Sequence, residues 1–238
     1  MKQKKQYSPL IKILGFTLWA LLCFYASQII IALPMRLILG DQISTPFWTF
    51  VFDLLFYAAS IVLTVLGPVW FFKHKPSTRE SLGLKDLPTW SDIGLAVVGF
   101  IVYMVLVSIV LQLLSGVIDI NQAQNVGFDH YIIGIDRFLA FISLVVIAPI
   151  AEEILFRGWL YKKLRSAISH RKLSIFVATL VTSIIFGFLH GQLNVGINVF
   201  VMSIIMCLMR ELTGTIYGSI IMHMIKNAVA FYMLYIML

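Results

Sequence analysis

Charge is scarce in this chain of 238 residues: Asp, Glu, Lys and Arg together make up 12%, about half of the ~25% usual in soluble domains. The acidic share is the smaller one, 11 residues against 18 Lys and Arg, for a net charge of +7. Intrinsic disorder is excluded, because a disordered chain is poor in apolar residues, and here 60% are hydrophobic. A nucleic-acid-binding module is excluded as well. The basic residues fall in short clusters between apolar runs, which is the pattern of membrane loops and not of a basic binding face. Cysteine is nearly absent: Cys23 and Cys207 both sit inside apolar runs, no C-x-x-C occurs, and no disulfide framework is available. Also missing are H-E-x-x-H, G-x-S-G and G-x-G-D, which excludes the zincin motif and two further hydrolase signatures.

What is abundant is long apolar sequence. With a mean hydropathy of +0.95, a chain of this size cannot bury its apolar surface in water. Runs at about 10–33, 47–72, 93–118, 138–161, 173–190, 195–212 and 215–238 are each long enough for a membrane helix, which needs ~20 residues. The first run follows a basic start at Met1–Lys5 but is too long for a signal peptide. The expected fold is therefore all-α, a polytopic transmembrane helix bundle of about seven spans (six to eight), as one integral membrane domain over 1–238. Lys and Arg are rich in the tail (Lys2, Lys4, Lys5), in 73–85 and in 162–172, and sparse in 34–46 and 119–137. The positive-inside rule then puts the N-terminus in the cytoplasm. The polar stretch with Asn121, Gln122, Gln124, Asn125 and Gly127 reads as an outer loop.

Ionisable residues inside membrane spans are costly and mark functional sites. The first half holds few of them: Asp53 and Gln112 read as edge residues or interhelical hydrogen-bonders. The second half holds three groups. The fourth run carries Glu152, Glu153 and Arg157, the fifth ends in Phe186-x-x-x-His190, and the seventh contains His223, Lys226 and Asn227. Glu153 and Arg157 are four apart, share a helix face and can pair. Glu152 points about 100° away from Glu153 and stays available. His223 and Asn227 share a face, as do Phe186 and His190, where the ring can wall the imidazole. Pro149 cannot donate to the Val145 carbonyl, so the helix should open beside Glu152 and admit water. Gly187-x-x-x-Gly191 and Gly214-x-x-x-Gly218 suit close helix packing, the sixth span is poor in glycine with Ser203 as its small residue, and Lys226 inside the seventh span is open between snorkelling, lining a polar cavity and pairing with a carboxylate.

A carboxylate and a histidine converging on one water form a general base, and a second histidine with an amide supplies oxyanion donors. That is equipment for amide hydrolysis. Glu152, His190 and His223 could instead be ligands of a divalent metal such as zinc. Taken singly, each motif has a plain structural reading as an ion pair or packing glue; three in one half of the chain are harder to assign to structure. A proton transporter would show polar helices in both halves. One tension remains: at 1.5 Å per residue, Glu152 and His190 lie about 15 and 25 Å from the inner ends of their runs. The fourth helix should project beyond the membrane, or the fifth should begin earlier or tilt.

The order Glu152-Glu153-x-x-x-Arg157, Phe186-x-x-x-His190, His223-x-x-x-Asn227, with Gly158 after the arginine and Thr213-Gly214-Thr215-Ile216 before the last motif, resembles the CPBP family of type II CAAX prenyl endopeptidases and bacteriocin-processing and immunity proteins, also called Abi. The resemblance covers about 138–230. It implies an intramembrane endopeptidase that hydrolyses a membrane-associated, prenylated or leader peptide, with the lipid bilayer as its setting and no nucleic-acid partner. By the same resemblance Glu152 activates water with His190 assisting, Glu153, Arg157 and Phe186 support it, and His223 and Asn227 stabilise the oxyanion. The family is labelled metalloprotease, and a metal-free glutamate mechanism is argued for it too, so the cofactor stays open between a divalent metal and none. Lys226 departs from the family pattern. The alternative from another class is a non-enzymatic immunity or scaffold protein of the same fold. The compact chain resembles prokaryotic members, which implies a prokaryotic cell membrane.

Overall fold

The computed structural model describes residues 8–119, 128 and 132–237. The N-terminal Lys residues and the polar stretch Asn121–Gly127 lie outside the described residues. Among the described residues everything regular is helical. Helix α1 spans Pro9–Leu39, α2 Pro46–Phe72 and α3 Trp90–Leu114. A continuous helical stretch then runs through α4 (Gly134–Phe141), a π-helical segment at Ile142–Ile147, α5 (Ala148–Glu153), a second π segment at Ile154–Leu160 and α6 (Tyr161–Ala167). Helices α7 (Arg171–Phe188), α8 (Leu193–Thr213) and α9 (Tyr217–Tyr235) complete the bundle.

Among the described residues, six helices are long and apolar enough to cross a membrane, with Gly134–Ala167 counted as one. The expected seventh run forms as α9, which has the length but stands outside that set. His223, Lys226 and Asn227 lower its hydropathy, and α9 compensates by packing against α3, α8, α5 and the first π segment. The outer helices α1 and α3 keep large apolar side chains exposed, among them Leu18, Leu22, Ile29, Ile101 and Val105. Such a surface suits lipid contact and would aggregate in water. The inner core gathers Trp159, Leu160, Leu164, Phe186, Val199, Met202, Met206 and Met222.

Two devices bring the inner helices close. Gly187 of α7 and Gly196 of α8 face each other so tightly that a Cβ on Gly187 would stand 2.7 Å from the Gly196 carbonyl oxygen. The sixth span thus holds the glycine that the sequence pattern undervalued, and the partner of Gly187 is across the interface and not along its own helix. Gly214 ends α8 in the left-handed region at φ 73°, which a residue without Cβ adopts freely.

One end of the bundle is stitched by polar contacts. Arg165 pairs with Glu211 at 3.1 Å and also donates to Ser174. Arg210 reaches the Ser81 carbonyl, the Ile216 amide donates to Gly83, and Thr215 donates to Asp92. The connection 73–89 and the basic stretch 162–172 belong to this end. The depth tension is also eased. The stretch Gly134–Ala167 has 34 residues, about 51 Å of helix, longer than the ~30 Å hydrocarbon core. It continues past Tyr161, and α7 starts at Arg171, so Glu152 and His190 lie about 22 and 28 Å from the same end.

Candidate active site

The helical stretch that carries Glu152 is irregular where the chemistry sits. The Ala148 amide donates to the Ser143 carbonyl, five residues back, so the next bond in that register would run from residue 149 to Leu144. Residue 149 is a proline with no N–H. The carbonyl left without a main-chain donor is thus that of Leu144, not of Val145 as the α-helical count implied. Asn227 of α9 fills the gap: its Nδ2 donates to the Leu144 oxygen at 2.8 Å. π segments recur at functional sites because they displace side chains from the regular face, and here two of them flank the glutamates.

Glu153 is fully buried and its Oε1 accepts from Arg157 at 2.7 Å, with the guanidinium also fully buried. The same oxygen lies 3.0 Å from His223 Nδ1. A carboxylate only accepts, so Nδ1 carries the proton and donates. Nε2 of His223 then faces Glu152, whose Oε2 stands 3.9 Å away and is buried with no hydrogen-bond partner among the described residues. His190 is oriented by the same logic: its Nδ1 lies 2.8 Å from the Phe186 carbonyl oxygen, which fixes the proton there and leaves Nε2 as an acceptor. The Phe186 ring packs against both imidazoles, with centroids 4.9 Å from His190 and 5.9 Å from His223. Arg157 lies over the same ring at 4.3 Å.

Glu152, His190, His223 and Asn227 line one cavity of about 150 Å³, together with Lys226 and Tyr57. Glu153, Arg157 and Phe186 stand behind it and do not line it. Tyr57 is the residue that sequence reasoning missed. It comes from α2, and its hydroxyl donates to Glu152 Oε1 at 2.8 Å. One turn earlier Asp53 accepts from the Ser143 hydroxyl in the first π segment. Asp53 is therefore an interhelical tie and not an edge residue, and the first half of the chain does reach the site. The signal available was the i, i+4 spacing of Asp53 and Tyr57 in an apolar run.

Among the described residues no three His, Cys, Asp or Glu side chains are grouped to hold a metal ion.

Residues 134–229 match the family model described as type II CAAX prenyl endopeptidase, Rce1-like. This segment is a CPBP-family domain. At the family level it is a CAAX-type intramembrane protease domain, and it contains all three motif groups. It spans less than half of the chain, and Tyr57 lies outside it. No curated protein matches the chain, and neither does any solved structure. The Rce1-like domain begins with α4 and ends within α9, so it takes in both π segments and all the polar residues that line the cavity except Tyr57 and Tyr235.

Proposed function

We propose that the chain is an intramembrane endopeptidase in which Glu152 is the general base for water attack on a peptide carbonyl. The observation that carries this reading is the buried Glu152 Oε2, without a hydrogen-bond partner and 3.9 Å from His223 Nε2 in a cavity that His190 also lines. Buried polar atoms are rarely left unsatisfied. Three acceptors directed at one space call for a molecule with protons to give, and water is the smallest.

Water held by Glu152 Oε2 and His190 Nε2 attacks the carbonyl carbon. A C–O bond forms, and the water proton passes to Glu152. As the C–N bond breaks, Glu152 returns that proton to the leaving nitrogen. Tyr57 keeps the other carboxylate oxygen occupied and so fixes which oxygen works. The oxyanion forms on the flank of α9. There Asn227 has one amide N–H beyond the one spent on Leu144. His223 stands on the same flank with its Nε2 toward the cavity. The substrate class that suits the site is a peptide segment reaching it from the bilayer. On the positive-inside rule we infer that the stitched end of the bundle faces the cytoplasm.

The test is cleavage by the purified full-length protein in detergent or lipid nanodiscs, assayed on membrane-associated peptides with and without chelator. Glu152→Gln should remove activity while the protein stays folded, since the amide keeps the shape but accepts no proton from water. Chelator should leave the wild-type rate unchanged. Cleavage by Glu152→Gln at the wild-type rate would overturn the reading in favour of a non-enzymatic scaffold.

A further inference from the structure

A groove of about 640 Å³ runs between α1, α2 and α6, and none of the residues placed at the active site lines it. Its size falls within the roughly 300–1,000 Å³ of small-molecule sites. The walls are apolar and aromatic, with Phe16, Trp19, Leu22, Phe72 and Trp159. Trp19 is fixed in place: its Nε1 donates to the Thr64 carbonyl at 3.2 Å, and its ring lies so close to Gly67 that a Cβ there would come within 2.5 Å. Three basic side chains stand on the same groove, Lys12, His74 and Lys163. All three belong to the stitched end. Lys12 lies in the first turn of α1, His74 follows the left-handed turn at Lys73 that ends α2, and Lys163 lies in α6 with its ammonium 5.8 Å from the Trp159 ring. No acidic side chain lines the groove, and among the described residues none of the three has a carboxylate partner. From Lys12 to Leu22 the groove follows α1 for about 15 Å, half of the ~30 Å hydrocarbon core.

We propose that this groove binds one anionic phospholipid, with the phosphate at the end where Lys12, His74 and Lys163 stand and an acyl chain along Trp19, Phe72 and Leu22. The charge of the groove selects the headgroup. A zwitterionic lipid brings its own cation to a place already rich in positive charge, whereas an anionic one brings only the charge that is missing, and basic pockets between membrane helices hold such headgroups. The length of the groove selects the chain, since the cations sit at one end and the apolar wall runs the depth of one leaflet. The proposal is independent of the hydrolytic reading. It does bear on the frame of the active site: the lipid would bridge α1, α2 and α6, and α2 carries Tyr57 while α6 continues the stretch that carries Glu152. A ligand that binds only the folded bundle stabilises it.

The experiment titrates the full-length protein, stripped of lipid in detergent, with dioleoylphosphatidylglycerol and counts bound lipid by native mass spectrometry. The comparison probes are dioleoylphosphatidylcholine, dioleoylglycerol and inorganic phosphate. The first phosphatidylglycerol should bind at least about fivefold more tightly than phosphatidylcholine, the discrimination expected from one lysine at an anionic headgroup. Dioleoylglycerol should bind more weakly still, and millimolar phosphate should not displace the lipid. Lys12→Met and Lys163→Met should each lower the preference for phosphatidylglycerol. Lys162→Met, the same charge change on an exposed neighbour outside the groove, should leave it intact. Gly15 lines the groove and a Cβ there meets open space, so Gly15→Trp should exclude the lipid with every cation still in place. A melting temperature near the wild-type value in lipid-free detergent separates these effects from loss of the fold. Equal affinity for phosphatidylglycerol and phosphatidylcholine, equal losses from Lys162→Met and Lys163→Met, or undiminished binding by Gly15→Trp overturns the proposal. Displacement by phosphate would reduce the groove to a simple anion site and overturn it too. A lipid-free dimer that Gly15→Trp dissociates would give the groove to a second copy of the chain instead.

Discussion

The two adjacent glutamates differ in what surrounds them. Glu153 has its Oε1 shared between Arg157 and His223, with no solvent exposure. Glu152 has one oxygen held by Tyr57 and the other unpartnered at the cavity. Breaking a buried ion pair by removing one charge costs about 3–5 kcal/mol, because the partner is left uncompensated. Glu153→Gln is therefore expected to lower the thermal stability of the purified protein markedly and to reduce its yield, whereas Glu152→Gln is expected to melt close to the wild type. Unfolding monitored by intrinsic tryptophan fluorescence in detergent distinguishes the two. The reverse order of stabilities would exchange the roles assigned to the pair. The split was legible in the sequence from the i, i+4 spacing of Glu153 and Arg157. That His223 would join the same carboxylate oxygen was not, because no local spacing relates residues 70 positions apart.

At the scale of the helix, Pro149 decides how the site is assembled. It removes the donor that the Leu144 carbonyl would meet in the π register, and Asn227 takes that place. Pro149→Ala restores a main-chain N–H at that point. The helix gains a hydrogen bond and loses a steric conflict, so stability should stay level or rise. The Asn227 amide then competes for its acceptor, and the α9 flank of the cavity loses its tether. We expect a fall in kcat of about tenfold or more, in the range of a weakened oxyanion donor, with little change in melting temperature. A wild-type kcat in this variant would dissociate the π register from the chemistry. Helix positions were readable to within about six residues from hydropathy alone, since lipid demands an apolar run of fixed length; the largest misses are α1, which continues through Pro34 to Leu39, and the fourth stretch, which continues to Ala167. The π segments were not readable, because Ile142–Ile147 and Ile154–Leu160 have ordinary helical composition and owe their register to what packs on them. The contribution of α2 was hidden for a related reason: a tyrosine in an apolar run carries no sign of which neighbour its hydroxyl will meet.

At the scale of the whole molecule, the chain is divided lengthwise between a stitched end and an open end. The stitched end holds the Arg165–Glu211 pair and the Arg210 and Asp92 contacts. The open end holds the His190 turn, the start of α8 and the end of α9, and the site cavity extends toward it: His190 follows the end of α7, and Ala230, which also lines the cavity, lies beyond the middle of α9. If basic loops stay in the cytoplasm, the cavity opens to the opposite side of the membrane, and the peptide pool that reaches Glu152 is the one on that side. The native thiols, Cys23 and Cys207, are both buried, which allows single introduced cysteines to be read without background. Ser169→Cys, in the exposed connection between α6 and α7, should react with a membrane-impermeant maleimide only after the cells are opened. Leu193→Cys, exposed at the start of α8, should react in intact cells. The opposite labelling pattern would turn the molecule over, place the cavity mouth in the cytoplasm and make cytoplasmic peptide ends the substrates, while leaving the geometry around Glu152 unchanged.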